Sequence, residues 1–215
     1  MPQSSIGLRM SDDVVRVALG LRLGSKLCEP HTCHCGVRVS PAGIHGLSCK
    51  KSTGRHPRHD LLNDVTYRAA IRAQVPASKA PVGLFRSDGK RPDGVTMVPW
   101  SRGRCMAWDV TVPDTLALSH LPGTASRAAA TEKAETAKIA KYSALANTHI
   151  FIPVAFETLG SWGMHAAGLI DELGRRITMV TGDGREREYL RQRISVAIQR
   201  GNAMACHGTL PSDTR

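Results

Sequence analysis

A chain of 215 residues that is 41% hydrophobic has room for one good core with a small appendage. Lys and Arg outnumber Asp and Glu by 29 to 18, a formal charge of +11, which favours a polyanionic partner. No apolar run approaches the roughly 20 residues of a membrane-spanning helix, the opening MPQSSIGLRMSDD lacks a signal-peptide core, and aromatics at 4% give no obvious platform for stacking single-stranded bases. A reducing, intracellular setting is therefore expected.

In chain order, Ser11 reads as an N-cap, with Asp12 and Asp13 in a first turn where the helix dipole favours acids. Val14, Val15, Val17, Ala18, Leu19 and Leu21 make a short apolar helix that Gly24 stops. Four of the six cysteines then fall between Cys28 and Cys49. In a reducing compartment such clustering reads as structural zinc rather than disulfide. The preferred ligands are Cys33, Cys35, His45 and Cys49, with Gly36 turning the chain after the first pair; Cys28, His31 and His34 are possible substitutes.

Arg55, His56, Arg58 and His59 form a basic cluster, read as a phosphate-facing patch beside the zinc loop or as a solvated loop. A helix is expected from Asp60 to Gln74, with Leu61, Val65, Ala69 and Arg72 at helical spacing, and Asp60 or Asp64 as a cap or a third carboxylate. Residues 76–81 read as a connection and Val82–Arg86 as a short strand. Two apolar stretches, Asp93–Val98 and Arg104–Pro113, flank the turn-like PWSRG and predict a β-hairpin. Centring its turn on Ser101 puts Asp93 opposite Asp109. Like charges placed there repel, a cost that a divalent cation would remove through hard oxygen ligands. Lys90 and Arg91, close to Asp93, are candidate phosphate clamps or plain turn charges. Met106, Trp108, Val110 and Val112 alternate onto one apolar face, leaving Asp109 with Cys105, Ala107 and Thr111.

An Ala-rich helix is expected from Ser126 to Ala146, with Lys138, Lys141, Tyr142 and Leu145 on one face. Those lysines are drawn inward beside Tyr142 or stay solvated. His149–Phe156 reads as a buried strand, Leu159–Leu173 as a helix, and Arg185–Arg200 as a packing helix with a basic outer face. The tail after Gly201 is expected to be disordered. Two carboxylates, a metal and a nearby lysine are the parts needed to cleave a phosphodiester.

From Asp60 the order is helix, three strands, helix, strand, helix, an α/β layout with a mixed sheet flanked by helices. This order, with CHCG…GIHGLSC, GRHPRHDLLND, DGKRPDG, WDVTVPDT, KIAKY, FIPVAFETLG and QRISVAIQRGNA, resembles the PD-(D/E)xK nuclease superfamily. More narrowly, it resembles the restriction-like endonuclease region of non-LTR retrotransposon proteins, over Leu21 to Thr209. The resemblance implies an αβββαβ restriction-endonuclease-like core at 57–205, behind an N-terminal helix and Cys/Cys/His/Cys zinc segment at 1–56, with a tail at 206–215. Pro92-Asp93 matches the PD and Asp109 the second carboxylate. The usual lysine position falls at Thr111, and the retrotransposon branch places its lysine on the following helix, here Lys138 or Lys141 beside Tyr142. The implied activity is Mg²⁺- or Mn²⁺-dependent nicking of DNA in the nucleus, which primes reverse transcription by an element's own polymerase domain on element RNA. The alternative is a catalytically inactive, zinc-stabilised nucleic-acid-binding module.

Overall fold

The computed structural model describes residues 5, 7–84, 89–117 and 129–211. The fold is mixed α/β. Helix α1 (Asp12–Leu23) starts at Ser11, whose side chain accepts from Val14 N, and ends at Gly24 with φ 65°. There Gly carries the left-handed cap at little cost. A two-stranded ribbon, β1 (His31–Thr32) and β2 (Arg38–Val39), leads to the one-turn helix α2 (His45–Ser48). Helix α3 (Arg55–Arg72) follows, beginning five residues before the expected start because Pro57 sits in the first turn, where a missing N–H costs nothing.

A four-stranded sheet runs β3 (Ala77–Lys79), β4 (Gly94–Thr96), β5 (Met106–Thr111) and β6 (Ile150–Ala155) in spatial order. The first two pairings are antiparallel and β5–β6 is parallel, so the sheet is mixed. Between β5 and β6 comes α4 (Ala129–Lys141), then a 3₁₀ turn at Ser143–Asn147. Two long helices, α5 (Met164–Thr181) and α6 (Glu186–His207), close the chain.

Trp108, Met106 and Val110 of β5 pack with Val154 and Phe156 against α3, α5 and α6. On the opposite face Ala107 and Asp109 lie under α4, whose end brings Tyr142 to 4.7 Å from the Phe151 ring. β5 is thus buried on both faces.

Several expectations need correction. The strand before the hairpin lies at Ala77–Lys79, inside the expected connection; residues 82 and 83 form a turn, and 85–86 lie outside the described residues. β3 forms there because Ala77, Ser78 and Lys79 pair with Thr96, Val95 and Gly94. The N-terminal portion of the Ala-rich helix, 126–128, also lies outside the described residues. The tail after Gly201 is ordered as far as it is described: α6 runs to His207, and Ala203, Ala205, Cys206 and Thr209 are buried. The expected boundary at 56/57 falls inside α3. The Cys/His segment packs on the end of α6, where Ser52 Oγ donates to Ala205 O at 2.8 Å. Gly46 and Gly54 press so closely on residues 204–206 that a Cβ at either would overlap backbone.

Candidate active site and metal centre

Cys33, Cys35, His45 and Cys49 each offer one ligand atom, and all four atoms lie within 4.8 Å of one another. The tight Cys-x-Cys pair is possible because Gly36, at φ 89°, folds back to donate to Cys33 O at 2.7 Å. His45 opens α2 and Cys49 caps its end, its N–H bonded back to His45 O, which brings the two side chains together. Cys35 Sγ is 3.2 Å from His45 Nε2, and Cys33 Sγ 3.8 Å from Cys49 Sγ. Burial pushes the Cys33 thiol up to about 11, whereas the Val37 backbone N–H lowers Cys35. Three thiols and an imidazole suit tetrahedral Zn²⁺, and this cluster could hold a zinc ion. The possible substitutes stand apart: Cys28 points at the carbonyls of Ser40 and Pro41, His31 donates to Glu29 O, and His34 is exposed.

The hairpin ladder pairs Gly94 with Trp108 and Val95 with Ala107. Asp93 lies one residue before β4, where the ladder ends, and its N–H donates to Trp108 O at 2.9 Å, so the expected direct register with Asp109 is not part of the ladder. Gly94 is required here by space: an added Cβ would sit inside the Trp108 ring. Asp93 Oδ2 accepts from Val110 N at 2.6 Å and from His59 Nε2 at 3.0 Å. Asp93 Oδ1 accepts no hydrogen bond among the described residues. Asp109 is 4% exposed; Oδ1 accepts from the Tyr142 hydroxyl at 2.8 Å, and Oδ2 pairs with the Lys138 ammonium. The Tyr142 hydroxyl also lies 2.9 Å from Arg91 O. Lys141 sits 4.6 Å over the Tyr142 ring, so of the two lysines Lys138 reaches the carboxylate.

Two partners of this site escaped sequence reasoning. His59, expected at a phosphate, instead hydrogen-bonds Asp93, which raises its pKa against the lowering effect of burial. Asn63 Oδ1 accepts from Trp108 Nε1 at 2.9 Å, and Asn63 Nδ2 donates to Asp93 O at 3.5 Å. Both lie one turn apart on α3, and that spacing was the only available signal. Arg58, also expected at a phosphate, is buried and donates to Asn202 Oδ1 and Leu47 O. Its place between His59 and Pro57 turns it inward, because successive helix residues point about 100° apart. Arg55, Lys90 and Arg91 are exposed. Asp64 is taken up by Lys79 and Arg68, and Asp60 faces solvent beside His59, so neither extends the carboxylate pair.

No family model matches the chain, and no curated protein matches it. No helix among the described residues is long and apolar enough to cross a membrane.

Proposed function

We propose that this chain is a metal-dependent DNA endonuclease of the restriction-like, PD-(D/E)xK type, derived from a non-LTR retrotransposon. The observation that carries this reading is the Asp93 carboxylate, bonded to the Val110 N–H next to Asp109 on β5, with Lys138 on Asp109. The donor set fits a hard divalent cation: Asp93 keeps an open oxygen, and Asp109 is buried, so its charge is weakly screened. Asp93 and Asp109 would hold Mg²⁺ or Mn²⁺, which when bound supplies an acidified water and offsets charge on the phosphate.

The chain's own residues do the rest. Tyr142 and the Val110 N–H fix the two carboxylates, so neither reorganises when phosphate arrives. Lys138 gives Asp109 its counter-charge and can turn to stabilise the developing negative charge or orient water. Arg91 and Lys90 lie on the approach to Asp93, where a phosphate backbone would pass. DNA is the substrate, and in a full-length element the nick would prime reverse transcription of the element RNA.

The test is incubation of supercoiled plasmid with the protein and Mg²⁺ or Mn²⁺, beside Asp93→Ala, Asp109→Ala and Lys138→Ala. Nicking by the parent that disappears in the two aspartate variants and in EDTA is the expected result. Salt-sensitive binding with no cleavage would instead assign an inactive zinc-stabilised nucleic-acid-binding module. Equal nicking by all the proteins would sink the site assignment.

A further inference from the structure

The helix that carries Lys138 is not held by an apolar face. Among the described side chains of α4 and the residue after it, Ala130, Thr131, Glu135 and Tyr142 are buried, while Ile139 faces solvent. α5, by contrast, buries Ala166, Leu169, Ile170, Leu173 and Ile177. A single alanine methyl buries little area and interlocks with little, so it does not fix where α4 stops along its axis.

Two buried glutamates do. Glu157, just after β6, is fully buried; its Oε1 accepts from Thr131 N at 3.2 Å and its Oε2 from the Thr115 hydroxyl at 3.1 Å. Glu135, on α4 itself, is 4% exposed. Its Oε1 accepts from His165 N at 3.1 Å and from Ala166 N at 3.4 Å, and its Oε2 lies 2.8 Å from His165 Nδ1. Those two N–H groups belong to the first turn of α5, whose own cap residue, Gly163, has no side chain to offer them. Glu135 supplies the missing cap from a different helix, with a charge that suits the helix dipole. The fit is close: a Cβ on Gly163 would lie 2.0 Å from Glu135 Oε1.

We propose that Glu135, backed by Glu157, is a positioning residue that sets the register of α4 and so places Lys138 and Tyr142 on Asp109, a role that rests on reading those residues as the nuclease site. Glu135, Lys138 and Tyr142 follow at i, i+3 and i+7, so they share one face. A slip of α4 by one residue would shift Lys138 by about 1.5 Å and turn it by about 100°, which takes the ammonium off the carboxylate. The same slip would strand the buried Glu135 carboxylate and the α5 N–H groups without partners, at the full cost of their desolvation. Glu135 bonds neither Asp93 nor Asp109, so it acts through the helix.

The test is labelling of the full chain with a trace of acetic anhydride, read by mass spectrometry as the rate at Lys138 beside that at Lys133, which is exposed on the same helix. Loss of Asp109 as partner should speed Lys138 about tenfold, the factor that one charge-assisted hydrogen bond contributes, and leave Lys133 unchanged. Glu135→Ala removes the carboxylate. Gly163→Ala leaves α4 untouched and pushes only the flexible end of Glu135 aside, so it serves even where Glu135→Ala fails to fold. Both should show the faster Lys138. Glu135→Gln, which still accepts from the α5 N–H groups, should keep the parent's rate. So should Glu172→Gln, which weakens α5 through a different ion pair. In plasmid nicking, Glu135→Ala should lower kcat and leave KM for DNA unchanged. An unchanged Lys138 rate in both Glu135→Ala and Gly163→Ala, an equal rise at Lys133, or an equal rise in Glu172→Gln would overturn the proposal. A parent that never nicks but shows the faster Lys138 in both variants defeats the nuclease reading alone. A nicking parent whose Lys138 is indifferent to both variants defeats only the positioning role.

Discussion

At the scale of single residues, Asp109 and Asp93 differ in how their charge is met. Asp109 is buried against a lysine and a phenol, whereas Asp93 is held by a backbone N–H and an imidazole. Tyr142→Phe removes one neutral donor from a buried carboxylate, and it should cost about 1–3 kcal/mol in urea unfolding. Lys138→Met leaves that carboxylate without its counter-charge, so it should cost more than Tyr142→Phe in the same assay. His59 has its pKa raised by Asp93. Its contribution to stability is therefore full below the unfolded value of about 6.5 and is lost as pH rises through the higher folded value. The difference in stability between the parent and His59→Gln should shrink between neutral and alkaline pH; a difference that grows would show that the imidazole is held neutral. The aspartates, both lysines, Tyr142 and the four cluster ligands could be named from the sequence, because motif spacing or alternation exposes them. The bonds of His59 to Asp93 and of Arg58 to Asn202 do not show in the sequence, because a basic run says nothing about which of its members a helix turns inward.

At the scale of elements, the hairpin, α1, the Ala-rich helix and the parallel strand were legible because each has a strong local period or a cap. β3 was not: three residues without alternation become a strand only because β4 lies beside them. The approach of β4 to β5 depends on Gly94 lying flat on the Trp108 ring. Gly94→Ala must displace a fully buried indole that also bonds Asn63, and it should destabilise by about 1–3 kcal/mol. The same displacement should broaden the Trp108 indole N–H signal in NMR spectra, while an unshifted, sharp signal would show that the ring is not under this pressure. Glu172 on α5 is held down to about 2 by Arg175 and then Arg176, from an ordinary 4.5. The stability that this pair adds is present above the unfolded value and disappears as pH falls through the folded one. Glu172→Gln should therefore be less stable than the parent at pH 6, and the difference should close as pH falls below about 2.

At the scale of the whole molecule, the Cys/His cluster joins a ribbon and a one-turn helix that bury little on their own. One zinc per chain should be released by thiol titration, and Cys49→Ser should abolish it and lower the melting temperature of the protein. Zinc content unchanged in Cys49→Ser would remove Cys49 from the ligand set. That segment also leans on residues 204–206 of α6, with Ser52 bonded to Ala205 153 positions later in sequence. Among the described residues, α1 is held the same way, with Val17 and Leu21 against Ala203 and Cys206. A contact of such sequence separation cannot form until α6 has been made. The early segments must wait on the ribosome, with thiols accessible and apolar faces uncovered, until α6 emerges. Translation that stops short of α6 would leave a product open to chaperones and proteases, because the early segments would lack the helix they pack on.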